Sequence, residues 1–360
     1  VQRSGYLPTL DGWRAVAILL VLGAHSNPWS LGRFNNHWLV VNGYRGVQLF
    51  FALSGYLICT RLLREEQRFG SISMRSFYAR RLFRIQPAAM VFLLALVVLT
   101  VFRGIPEFWP GIAGAALMIR NLWPRALANG YWFTEHFWSL AVEEHFYLLL
   151  PGFLVLVRRR RFTILAVTVL VLELWHMVVG LTPRLKTGPG WIIGHRTDIA
   201  LNSILLASVF AVALNSGSVL AWFKKFVRPW AAWLYTAVFF FIASRHLSMP
   251  IQDSLLSVFP VLIVAAVLHP ESLTGKFLEL SAVRWIGRIS YSLYLWQQLF
   301  LVPPEAQTPP LLHANGLVCW AATFACAIAS YYLIETPLIR VGHRFAKRFE
   351  RKRSPQTAMA

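Results

Sequence analysis

The sequence predicts an all-α, polytopic integral membrane protein, and three observations predict it. Hydrophobic residues make up 57% of the 360-residue chain and charged residues only 14%, against roughly 45–50% and 25% in soluble domains. Apolar runs near one bilayer length recur throughout, for example 88–102, 163–179 and 316–334; a spanning helix needs about 20 mainly apolar residues. The basic residues gather between those runs, at 61–84, 158–161, 224–228, 284–288 and 340–353, as cytoplasmic loops do under the positive-inside rule. The net charge of +20 therefore follows topology. A nucleic-acid partner would need a basic face on a soluble module, and none is visible.

Taken in order, the apolar runs give ten spans: 12–28, 44–63, 87–104, 137–157, 162–180, 197–214, 229–245, 252–269, 289–303 and 313–334. With the N-terminus in the cytoplasm, the connections 61–86, 158–161, 215–228 and 270–288 and the C-terminal tail all lie inside, so every large basic cluster falls on one side. The first run is read as a retained span, because it carries Arg14 and His25 and no small-x-small cleavage site follows it. The stretch 110–123 is also apolar, but counting it would put Arg158–Arg161 outside. Pro110, Pro124 and its short length favour a re-entrant or interfacial segment. Residues 1–345 thus form a single transmembrane domain, and 346–360 a basic, disordered cytoplasmic tail. No internal repeat is evident. Cys319 and Cys326 share a helix face but lie about 10 Å apart along it, too far for a disulfide. No metal-ligand spacing occurs, so no metal is expected.

Ionisable residues inside spans are costly and mark pathways or active sites. Arg14 and His25 of the first span are eleven positions apart. That is within about 20° of the same helix face and roughly 16 Å along the axis. Arg14 is either an interface anchor that snorkels or a functional cation; His25 is either a hydrogen-bonded histidine near the outer interface or a reactive one. Glu143 and Glu144 are adjacent in the fourth span and point about 100° apart. At least one must face the bundle interior, as a structural ion pair with Arg14 or Arg196 or as a catalytic carboxylate. Ser54 and Gly55 interrupt an aromatic helix, where small residues serve close packing. Arg80 and Arg84 are one turn apart at a cytoplasmic helix start, positioned either by topology alone or to bind a phosphorylated ligand. Arg196 and Asp198 stand at the outer end of a span, and Tyr291 and Tyr294 share a helix face; packing alone explains either pair.

Together the segments LDGWRAVAILLVLGAHS, FFALSGYLI, ARRLFRIQP, FWSLAVEEHFYLLLP, RTD, ISYSLYLWQQ and SYYLIETP resemble the acyltransferase-3 family of bacterial membrane O-acyltransferases, in the family's order over nearly the whole chain. The resemblance implies a ten-helix fold in the cytoplasmic membrane. It implies transfer of an acyl group, acetyl by preference, from cytoplasmic acyl-coenzyme A to an envelope glycan, lipid-linked saccharide or secondary metabolite. His25 then corresponds to the catalytic histidine, Arg14 to its arginine partner, and Arg81 and Arg84 to the paired arginines of an Arg-x-x-Arg motif. Many members have histidine after YLW, where this chain has Gln297, which weakens a titrating role there. Some members carry a fused extracytoplasmic esterase-like domain, which this chain lacks, so any partner that positions the acceptor is expected to be separate.

The expected mechanism places coenzyme A phosphates against Arg81, Arg84 and Arg80. Its thin arm then runs past Arg14 to His25, which acts as general base or as an acyl-histidine nucleophile. Glu143 or Glu144 orients the imidazole, and Ser54 or Tyr294 is a candidate oxyanion donor. A glycan or lipid transporter is the rival class. Its buried charges would line a path, but it should show inverted repeats or paired broken helices. A membrane scaffold with structural ion pairs only is the third.

Overall fold

The computed structural model describes residues 6–26, 37–103, 109–122, 132–182, 196–227, 259–302 and 316–350, with isolated positions in between. Among the described residues every regular element is helical. Six helices are long and apolar enough to cross a membrane: Gly43–Phe69, Met74–Phe102, Trp132–Leu156, Arg161–Leu181, Thr197–Leu214 and Gly316–Glu350. The expected span 229–245 and the start of 252–269 lie outside the described residues. The stretch expected to be re-entrant or interfacial contains an eight-residue helix, α4 (Trp109–Ala116), too short to span.

The chain divides into two compact units. The first comprises Val1–Ala24, Asn36–Thr60 and Arg159–Ser290. It holds most of α1 (Pro8–His25) and the first part of α2 (His37–Phe69). It also holds α7 (Arg161–Leu181), α8 (Thr197–Leu214), α9 (Gly217–Phe226), α10 (Phe259–Leu268), α11 (Leu273–Leu278) and α12 (Ser281–Arg288). Small residues let these backbones approach. Gly55 lies so close to α8 that a Cβ would sit 2.1 Å from the Ile204 carbonyl oxygen. At Gly287 of α12 the added carbon would be 1.8 Å from the Asp11 carbonyl of α1. Beside that crossing the Tyr6 hydroxyl donates to Asp11 and accepts from Arg284 at 3.1 Å. Burial, then the Asp11 carboxylate, pushes the Tyr6 phenol above its ordinary range. We expect Gly287→Ala to separate α12 from α1 and cost about 1–3 kcal/mol, as overpacking does. It should be read as a lower unfolding midpoint in detergent; an unchanged midpoint would show the crossing to be slack.

The second unit comprises His25–Asn35, Arg61–Arg158 and Tyr291–Ala360. It holds α3 (Met74–Arg103), α4, α5 (Trp132–Glu135), α6 (Phe137–Leu156) and most of α13 (Ser290–Phe300). Residues Gly316–Ser330 form α14, which passes through a π turn, Tyr331–Glu335, into α15 (Thr336–Glu350). The π turn stands directly before Pro337, whose missing N–H cannot continue the regular helical ladder. The connection 61–86, expected as a polar loop, is helical except around residues 70–73. Gly70, with φ 70°, ends α2 in the left-handed conformation that glycine adopts freely, and α3 begins at Met74. This basic stretch stays helical because arginine, leucine and glutamate are good helix formers. α3 packs along α15, where Arg80 pairs with Glu350 and with Glu65 at 3.5 Å.

The apolar faces left outward identify the surroundings. Leu170, Val171 and Leu174 of α7 and Leu94 and Phe102 of α3 are each more than half exposed. So are Leu317 and Val318 of α14. Rows of exposed aliphatic residues on long helices are a lipid surface, not a water surface.

Candidate active site

His25 is the last residue of α1. Its Nδ1 lies 2.8 Å from Oε1 of Gln297 on α13. The next links fix which atom is which. Nε2 of Gln298 donates to the backbone carbonyl of Trp132 at 2.7 Å, so Oε1 of Gln298 is an acceptor. Nε2 of Gln297 donates to it at 3.2 Å, leaving the Gln297 oxygen towards His25. An amide oxygen only accepts. Nδ1 of His25 therefore carries the proton, and Nε2 presents its lone pair. The chain closes through the Trp132 indole, which donates to the Gln298 carbonyl at 2.8 Å and packs edge-on to His25 with centroids 5.2 Å apart. Gln297 and Gln298 are 0% and 2% exposed, so water does not compete for these bonds.

Next to this relay, Tyr294 and Ser139 hydroxyls meet at 2.6 Å, and both contact the His136 carbonyl, at 3.1 and 3.2 Å. Two protons serve three contacts, so neither hydroxyl retains one for a ligand. His136 sits where α5 meets α6, packed against Phe92, Phe137 and Tyr294. It is 3% exposed, and neither ring nitrogen has a partner among the described residues. His25 and Arg120 are within electrostatic reach of it.

A second polar cluster surrounds the start of α3. The Arg81 guanidinium lies 4.7 Å from the Tyr147 ring centre, a cation–π contact. Tyr147 donates to Glu143 at 2.8 Å. Arg84, Glu143 and Glu144 are further electrostatic neighbours of Arg81. Arg84 in turn faces Tyr291 and Glu335. Glu335, the last residue of the π turn, is 3% exposed and accepts from Ser292, while Tyr291 donates to the Ile85 carbonyl at 2.7 Å.

An imidazole presented as a base at one helix end, and a buried arginine–glutamate cluster on α3, coincide with a known family. Its description, an acyltransferase domain, matches residues 7–335. The chain belongs to the acyltransferase-3 family. Among relatives, it is 28% identical to the peptidoglycan O-acetyltransferase OatA of Listeria monocytogenes, over 94% of this chain and 56% of that protein. It is 29% identical to the O-acetyltransferase OatA of Staphylococcus aureus strain NCTC 8325, over 94% and 58%. The chain thus spans less than two thirds of these relatives' length. No solved structure matches it.

The acyltransferase-3 motifs distribute between the two units. His25, Gln297 and Tyr294 come together in the second unit, and Arg81, Arg84, Glu143, Glu144 and Tyr291 form its other cluster. Arg80, on the α3 face that its spacing with Arg84 predicts, is held by Glu65, Glu350 and Ser76 and fastens α3 to its neighbours. Arg14 is half-buried in the first unit, eleven residues before His25 on α1. Ser54 is in the first unit beside Gly55, the point of closest approach to α8. Arg196 and Asp198 are also there, joined by contacts of 3.0 and 2.8 Å. Sequence reasoning missed His136 and Glu335. Both are ionisable residues in apolar helical segments, the same signal that singled out Glu143. Gln298 gave no signal, because an uncharged amide beside Gln297 is ordinary.

Proposed function

We propose that the protein is a multi-pass O-acyltransferase of the cytoplasmic membrane, with ten spans and both termini inside. It moves an acyl group, acetyl first, from acyl-coenzyme A to a hydroxyl of an envelope glycan. The observation that carries this reading is the amide relay that presents His25 Nε2 as a base. Family membership supports the reaction class, and the relatives' names make a peptidoglycan-type glycan the first acceptor to test.

In this mechanism His25 Nε2 takes the proton of the acceptor hydroxyl while its oxygen attacks the thioester carbonyl. The tetrahedral intermediate then collapses with cleavage of the C–S bond. The imidazolium returns its proton to the departing coenzyme A thiolate, and the ester remains on the acceptor. Gln297 holds the ring in the required tautomer throughout. His136 is the donor offered to the developing oxyanion, since the Tyr294 and Ser139 protons are engaged already. Arg81 and Arg84 receive the coenzyme A phosphates, with Tyr147, Glu143 and Glu144 orienting Arg81. Arg14 lies about 16 Å before His25 on α1, a distance comparable with the pantetheine arm.

Purified protein should bind and consume acetyl-coenzyme A. Arg81→Ala and Arg84→Ala should each raise the donor KM about 10-fold, the loss of one charge-assisted contact, with a smaller change in kcat. A folded protein that binds no acyl donor in a chain-length series would instead support the transporter.

A further inference from the structure

The first unit contains a polar cavity that none of these roles uses. Gln48 of α2, Glu173 and His176 of α7, Asn202 and Ser203 of α8, and Phe259 of α10 help to line it. Asn202 is 7% exposed; its Nδ2 donates to Glu173, and its Oδ1 is buried with no partner among the described residues. A buried acceptor left unpaired is costly in an apolar helix bundle, and a hydrogen-bond donor entering the cavity relieves that cost. Oδ1 therefore defines what the cavity takes. A thioester carbonyl and an ionised phosphate can only accept, and neither fits beside it. A hydroxyl can donate to it.

Volume narrows the ligand further. The cavity measures about 20 Å3, enough for a water-sized group and not for a sugar ring. What enters is an arm of a larger molecule. A polar approach to it exists: Asp198 lies one turn before Asn202 on the same face of α8. Asp198 is clasped by Arg196 and receives the Trp175 indole N–H at 2.7 Å. On the ten-span topology, Gln48, Glu173, Asn202 and Phe259 all lie towards the outer ends of their helices, the side from which an envelope glycan arrives.

We propose that this cavity is an acceptor subsite that receives a hydroxyl or hydroxymethyl arm of a saccharide, with the arm donating to Oδ1 of Asn202. The ligand class rests on the glycan-acceptor reading above; the site itself rests on the cavity and the unpaired amide oxygen. Glu173 holds the Asn202 amide in the orientation that keeps this oxygen towards the arm.

The test is calorimetric titration of a β-1,4-linked N-acetylglucosamine oligomer into the full chain in lipid nanodiscs. Asn202→Leu removes the acceptor, and Ser203→Leu fills the cavity wall while keeping the Asn202–Glu173 bond. Both should weaken binding about 10-fold or more, the effect of one hydrogen bond to a buried group. If Asn202→Leu fails to fold, Ser203→Leu carries the test alone. Unmodified protein that does not bind the oligomer, or folded variants that bind as tightly as it does, overturn the subsite. Protein that binds acetyl-coenzyme A but no oligomer loses the subsite alone. Protein that binds the oligomer, weakened by the variants, yet consumes no acyl donor keeps the subsite and loses the transferase reading.

Discussion

His25→Ala is expected to lower acyl transfer by about 10²–10⁴-fold, the range that a positioned general base contributes. The donor KM should change little, because the phosphate contacts proposed for Arg81 and Arg84 lie on α3 and not on α1. The readout is coenzyme A release with and without a glycan acceptor. His25→Gln is the companion variant. It keeps a polar side chain beside Gln297 but supplies no basic nitrogen, so it should be as slow as alanine. If His25→Gln retained most of the wild-type rate, His25 would be a structural hydrogen-bonding residue and the mechanism would fail.

Gln297→Leu is the second large effect, expected at about 10–100-fold in kcat, the cost typical of removing a group that orients a reactive imidazole. Leucine fills a similar volume, so the fully buried position stays packed. Without the amide oxygen, nothing holds the Nδ1–H tautomer, and the ring populates states in which Nε2 is not the lone-pair nitrogen. Histidine at this position offers a diagnostic rescue, because its neutral ring nitrogen can also accept from Nδ1–H. Gln297→His should therefore be faster than Gln297→Leu. Equal rates for the two variants would mean that the 2.8 Å contact has no part in setting the tautomer.

Much of the protein was legible from residue order alone. Long apolar segments form helices in a bilayer because every backbone N–H and C=O must be satisfied within the segment. The apolar runs around 44–63, 162–180 and 197–214 accordingly fall within the helices Gly43–Phe69, Arg161–Leu181 and Thr197–Leu214. Arg14 and His25 stood out because charge in such a segment is expensive, and α1 carries both on one continuous helix. The helical character of 61–86 was missed. A stretch dense in arginine reads as a loop under a charge rule, although arginine is itself a good helix former.

The sequence by itself determined the class of the protein, its helical segments and the family motifs, because hydrophobic length and charge placement are local properties that water and lipid read directly. Only the tertiary structure decided which side chains work together. Gln297 looked like a weakened version of a titrating histidine, yet it lies 272 positions along the chain from His25 and supplies the oxygen that sets its tautomer. Arg80 looked equivalent to Arg84 by spacing, but the carboxylates of Glu65 and Glu350 engage it. Asn202 carried no signal at all until Glu173 took one end of its amide and a cavity lay at the other. Burial of apolar surface is non-directional and specifies that helices associate. Which polar atoms then meet depends on the register of helices distant in sequence, and no single segment contains that information.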